Sequence, residues 1–136
     1  MLKRREYGDL TPLQLEIVQI LWERGEASVG EVHEALGRRG RKMAYTSAMT
    51  LCKRLADRGV LKYVRRGRAY IYSPARRRKS VLRHLLGRIV DRAFGGSEAE
   101  LALTVLSDAR MDADELEALQ NLLTAKQRQL HRGEWR

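Results

Sequence analysis

Ala44-Tyr45-Thr46-Ser47-Ala48-Met49-Thr50-Leu51-Cys52-Lys53-Arg54-Leu55-Ala56-Asp57-Arg58-Gly59 runs straight into Val60-Leu61-Lys62-Tyr63-Val64-Arg65-Arg66-Gly67-Arg68-Ala69-Tyr70-Ile71-Tyr72-Ser73-Pro74. In the first half, Ala48, Leu51, Cys52 and Leu55 recur at i, i+3, i+4 and i+7, which predicts a helix over residues 45–58 with that face inward and Gly59 as its end. In the second half, β-branched and aromatic runs at 60–65 and 69–72 flank Arg66-Gly67-Arg68. They predict a hairpin with a basic tip, stopped by Pro74.

Upstream, Thr11 and Pro12 suit the N-cap and first position of a helix carrying Leu13, Ile17, Ile20 and Leu21, closed by Arg24-Gly25. Ser28 with Glu31 forms the pattern of a capping box for a short second helix, with Val29, Val32 and Leu36 inward and Gly37 as its expected end. Arg38-Arg39-Gly40-Arg41-Lys42 then reads as an exposed basic loop. Helix, helix, helix, hairpin is the order of a winged helix-turn-helix, expected over residues 1–74.

Residues 75–136 read as three more helices. The first follows Arg76-Arg77-Arg78-Lys79, carries Leu82, Leu85, Leu86 and Ile89, and ends near Phe94-Gly95-Gly96. Ser97 and Asp112 cap the next two, which carry Leu101, Val105 and Leu106, then Leu116, Leu119, Leu122 and Leu123. Three short helices enclose very little core by themselves, so the expectation is a dimerisation domain in which a second chain covers Leu82, Leu85, Leu86, Ile89, Phe94, Leu101, Val105, Leu116, Leu119, Leu122 and Leu123. The fold class is mainly α with a small β-hairpin. A monomer with its last helices folded back is the competing arrangement.

The net charge of +10 points to a polyanion, and its distribution says where. Residues 1–74 hold 15 Lys and Arg against 8 Asp and Glu, residues 75–92 hold 7 against 1, and residues 93–136 hold 5 against 8. The cations therefore sit on the winged helix and the segment after it. On the third helix, Thr46, Thr50 and Lys53 lie opposite the apolar face, flanked by Ser47, Met49 and Arg54. Hydroxyls and cations there can reach base edges or phosphates, and Met49 can meet a thymine methyl. A solvated face is the plain alternative, but such a face favours Glu, Lys and Gln for their helix propensity, and this one is short-chained and hydroxyl-rich. Lys42 and Tyr45 before the face, and Arg65, Arg66 and Arg68 in the wing, complete the expected DNA-binding set.

Other chemistries find little support. Cys52 is a lone cysteine on the inward face and reads as core. His33, His84 and His131 fall on separate segments without ligand-like neighbours, so no metal, cofactor or catalytic residue is expected, and no enzyme. No apolar run approaches the roughly 20 residues that span a bilayer. Met1-Leu2-Lys3-Arg4-Arg5-Glu6 lacks the apolar centre of a signal peptide, which gives a cytoplasmic expectation with no membrane partner. The same cations would also serve a sequence-indifferent nucleic-acid or ribosome-associated protein, or an interaction protein that uses residues 76–79 on acidic partners or membranes.

From Leu10 to Leu123 the chain resembles the BlaI/MecI/CopY family of bacterial repressors, which includes the penicillinase repressors. The resemblance rests on Leu10-Thr11-Pro12-Leu13-Gln14 with Ile20-Leu21-Trp22, and on Ala44-Tyr45-Thr46-Ser47-Ala48-Met49-Thr50 with Lys53-Arg54-Leu55. Gly67-Arg68-Ala69-Tyr70-Ile71-Tyr72-Ser73-Pro74 and Phe94-Gly95-Gly96-Ser97 extend it. It implies a winged helix on double-stranded operator DNA, a homodimer built by the C-terminal helices, and a division near residue 75. The family's DNA-contacting positions fall on Thr46, Ser47, Met49, Thr50 and Arg54. Several members carry Arg where Met49 stands, so the operator sequence does not transfer.

The resemblance also implies a regulatory protease, since penicillinase-type members are inactivated by cleavage of the dimerisation domain at an Asn-Phe bond. Thr104-Val105 stands at that place here and is expected to be a buried helical pair. Copper-responsive members carry a C-terminal cysteine motif, which residues 126–136 lack.

Overall fold

A computed structural model describes residues 10–133. Residues 1–6, read above for a leader, lie outside the described residues, as do residues 134–136 of the tail read for cysteines.

Local capping sets the first two helices. Helix α1 (Pro12–Arg24) starts where Thr11 Oγ1 accepts from the Gln14 N–H at 3.1 Å and Gln14 Oε1 accepts from the Thr11 N–H at 3.0 Å. Ser28 and Glu31 repeat that exchange at 3.2 and 2.9 Å for helix α2 (Val29–Arg38). This helix passes the expected stop at Gly37 and is capped by Arg39. The chain turns at Gly40, whose φ of 85° lies in the left-handed region that side chains disfavour. Helix α3 (Tyr45–Asp57) follows, then strands β2 (Leu61–Arg66) and β3 (Ala69–Pro74).

Ala27–Ser28 adds a strand, β1, that the periodicity did not announce, because two residues are too short to show alternation. It pairs antiparallel with β3 at Tyr72 and Ile71, giving the order β1-β3-β2. Arg66 pairs with Ala69, so the tip is the two-residue turn Gly67-Arg68 and not the expected three residues. Gly67 has φ 62° and no described non-glycine residue has positive φ, which is the pattern of a type II′ turn.

Ile17, Leu21, Val32, Leu36, Ala48, Cys52 and Leu55 from the three helices close one core with Val60, just before β2, and with Leu61 and Tyr72 from the sheet. Helix α4 (Arg78–Ala93) contributes to it. Val81 is only 1% exposed in that core and Leu85 packs partly against it. The helix therefore faces the core through a stripe rotated from the one expected. Leu85 is partly spent on the winged helix, Leu82 and Phe94 are half-buried, and Leu86 and Ile89 are left exposed.

The chain divides into two compact units after Gly96, so α4 belongs with the first, past the expected division at residue 75. The second unit holds helices α5 (Glu98–Asp108) and α6 (Ala113–His131). Ser97 Oγ accepts from the Glu100 N–H at 3.0 Å, and Asp112 and Glu115 form a full capping box at 2.8 and 3.0 Å. Among the described residues no helix is long and apolar enough to cross a membrane.

Candidate nucleic-acid interface

The recognition face depends on how α3 is anchored. Ala48, Cys52 and Leu55 are fully buried, while Met49 and Leu51 pack partly against the core. Thr46, Ser47, Thr50, Lys53 and Arg54 consequently stand exposed on the other side. Met49 is the exception within the expected set: its side chain leans into the core from the edge of the face, where apolar burial is worth more than exposure.

Ala44 offers α3 no side-chain cap. Its start is held from α2 instead, where His33 Nε2–H donates to the Met43 carbonyl at 2.7 Å and the His33 ring meets Tyr45 edge-on at 6.0 Å. Thr50 Oγ1 donates to the Thr46 carbonyl at 2.9 Å. With its proton committed to the backbone, the Thr50 hydroxyl presents acceptor lone pairs outward.

The cations separate into held and unheld. Arg39 reaches Gln19 at 3.1 Å and Glu23 at 3.4 Å, and Arg41 reaches Glu16 at 2.8 Å, so much of the basic loop lies against α1. Arg66 makes a two-pronged contact with Glu26 at 2.6 and 3.2 Å. Glu26 is held below the ordinary carboxylate range, first by that hydrogen bond and then by the guanidinium charge. Arg65 Nε donates to the Gly67 carbonyl at 3.1 Å and lies 5.9 Å over the Tyr70 ring. Among the described residues, no hydrogen bond or ion pair holds Lys42, Lys53, Arg54 or Arg68, and all four are exposed.

Two features escaped sequence reasoning. Arg66 turns to Glu26 across 40 residues, a pairing that no local spacing shows. Tyr63 and Tyr70 stand half-exposed beside Tyr72, with ring centroids 5.2 and 5.6 Å apart, as one aromatic face of the wing. The alternation Tyr63, Arg65 and Tyr70, Tyr72 carried that signal, since alternate strand residues share a face.

Cys52 is buried and its thiol is pushed up to about 12 by desolvation, in keeping with a core residue. Among the described residues no group of three His, Cys, Asp or Glu side chains is placed to hold a metal ion.

An inward-anchored third helix, an outward hydroxyl and cation face, and a basic-tipped hairpin define a winged-helix DNA-binding protein. Residues 10–125 match the family model described as penicillinase repressor. The chain is 34% identical over 124 residues to the transcriptional regulator BlaI of Mycobacterium tuberculosis, covering 90% of this chain and 86% of that protein. It is 20% identical over 119 residues to the penicillinase repressor of Bacillus licheniformis, covering 88% and 92%. The chain belongs to the penicillinase repressor family, a family of transcriptional repressors and not of enzymes. Among solved structures it is similar in fold to the complex structure of hsRosR-SG, at a TM-score of 0.51 and 16% identity over 89% of this chain and 95% of that one.

Proposed function

We propose that this chain represses transcription as a homodimer on a palindromic operator, with α3 in the major groove. The observation that carries this is the two-sidedness of α3: fully buried Ala48, Cys52 and Leu55 against exposed Thr46, Ser47, Thr50, Lys53 and Arg54. Thr50, as an outward acceptor, suits the amino group of adenine or cytosine in the groove. Lys42 before α3 and Arg68 at the wing tip are the unheld cations for phosphates, with Arg65 also in the wing.

Self-association is assigned to the helices beyond residue 75, through the exposed Val105, Leu116, Leu122 and Leu123 of α5 and α6. Leu101 of α5 and Leu119 of α6 are half-buried within the chain. Two reading helices about one helical turn apart then match an operator with two-fold symmetry.

The proteolytic branch rests on the family alone. Thr104-Val105 lies inside α5, and it is exposed in the chain, contrary to the buried pair expected, with Val105 at 55%. A protease would meet a helical bond there, and cleavage requires α5 to open first.

The test is capture of genomic fragments by the purified protein, followed by competition. A retained fragment with two half-sites, not displaced by equal random duplex, is expected. In Thr46→Ala and Thr50→Ala, discrimination should fall by about 1–3 kcal/mol per lost base contact. Equal displacement by random DNA or structured RNA would replace this reading with sequence-indifferent binding.

A further inference from the structure

Between the C-terminal half of α3 and the wing lies a cavity of about 240 Å³, lined by Lys53, Ala56 and Asp57 from the helix and Tyr63, Tyr70 and Tyr72 from the strands. Its inner wall is unusual. Tyr72 is only 2% exposed, yet its hydroxyl makes no hydrogen bond with any described residue. A hydroxyl so placed without a protein partner is left for water or a ligand to meet, and native proteins rarely leave one unmet. The Tyr72 phenol is an O–H donor, and burial pushes its titration further up from the ordinary range.

The donor and acceptor set narrows what fits. Tyr72 O–H and the Lys53 ammonium donate, the Asp57 carboxylate accepts, and three tyrosine rings supply flat apolar walls. A group that both accepts and donates satisfies all three, and a phenolic hydroxyl does so. An aryl carboxylate accepts only, and it would meet Asp57 with like charge. Size agrees: an apolar cavity of about 150 Å³ takes benzene, so this one admits a single substituted ring, while drug-sized ligands need about 300 Å³ or more.

We propose that this cavity is a binding site for a small phenolic molecule, held between α3 and the wing tyrosines with its hydroxyl bridging Tyr72 and Asp57. Lys53 belongs both to the cavity and to the exposed face of α3, so an occupied cavity draws a cation away from the duplex. That coupling rests on the proposed DNA reading. The binding itself does not.

The experiment is an NMR titration of the full chain, tyrosine rings labelled, with phenol, benzoate and toluene at millimolar concentration and no DNA present. Saturable shifts of Tyr63, Tyr70 and Tyr72 with phenol are expected, with weaker response to the other two. Tyr72→Phe keeps the ring and should weaken phenol roughly two- to tenfold, the worth of one hydrogen bond. Ala56→Leu fills the space and should abolish the shifts while the spectrum stays folded. Absence of saturation in the native chain, or shifts that persist unchanged in Ala56→Leu, overturns the site and leaves the hydroxyl to water. Adding a captured operator then tests the coupling. Phenol shifts without loss of operator affinity would keep the site and discard its link to DNA, and failure to bind any operator would sink the DNA reading alone.

Discussion

The two compact units of this chain are built from similar helices and end in opposite states. In the first, Ile17, Leu21, Val32, Leu36, Cys52 and Leu55 are each sealed from water by four helices and a sheet. In the second, α5 and α6 bury no residue, and Leu103, Val105, Leu116, Leu122, Leu123 and Leu130 are each about half exposed or more. Both units have well-made helix starts, so capping and periodicity suffice to form a helix in either. What differs is whether the apolar face finds a partner within the same chain. Exposed apolar surface on this scale marks an interaction site, and a second copy is the partner that the proposed function requires.

The largest effect should come from denying that partner. Leu116→Glu combined with Leu123→Glu places charges on the open face without cutting into the first unit. Self-association should vanish by light scattering, and operator affinity should fall by roughly 10²- to 10⁴-fold as the two reading helices lose their linkage. The first unit should keep its native NMR spectrum. A native chain that is already monomeric at micromolar concentration would break the comparison.

The next effect lies in the closed unit. Leu21→Ala should cost about 2–5 kcal/mol, read from urea unfolding, and the loss should be the same at every protein concentration. Unfolding of the second unit should instead shift with concentration, because association stabilises only what it covers. Removing caps is milder: Thr11→Ala and Asp112→Ala should each cost about 1 kcal/mol. The first should lower the concentration-independent transition and the second the concentration-dependent one.

The contrast between the units also explains what was legible in the sequence. Thr11, Ser28 and Asp112 announced their helices because capping is decided within four residues. The exposed face of α3 was legible because Ala48, Cys52 and Leu55 fix its rotation. The stripe of α4 was not, since Leu82, Leu85, Leu86 and Ile89 all lie on one broad apolar arc with Val81, and contact with a distant core chose Val81 and Leu85 from it. The strand at Ala27–Ser28 and the partial burial of Met49 were not legible for the same reason: each is placed by tertiary neighbours and not by its own segment. Val81, three positions after Arg78 in a basic segment, is the core residue that packs α4 with the first unit, and a basic run gives no sign of it in the sequence.

The smallest predicted effect concerns a cation that composition alone assigns to DNA. Arg66 sits in the wing between Arg65 and Arg68, yet Glu26 holds it through two hydrogen bonds. Both groups are exposed, so the pair adds little to folding. The sign of its pH dependence is fixed nevertheless. Glu26 is depressed in the folded chain from its ordinary value of 4.5, so the contribution is complete above that value and disappears as pH falls through the folded value. The stability difference between the native chain and Glu26→Gln should therefore shrink to nothing in acid, and parallel curves across pH would refute the pairing. In Glu26→Gln the guanidinium is released toward the duplex. Since each phosphate contact adds about 0.9 to the slope of log affinity against log salt, the variant's slope should steepen by about one contact, while Arg68→Ala should flatten it by the same amount. If Arg66→Ala flattens the native slope as much as Arg68→Ala does, Glu26 is not withholding that charge, and the division of the wing into held and unheld cations fails.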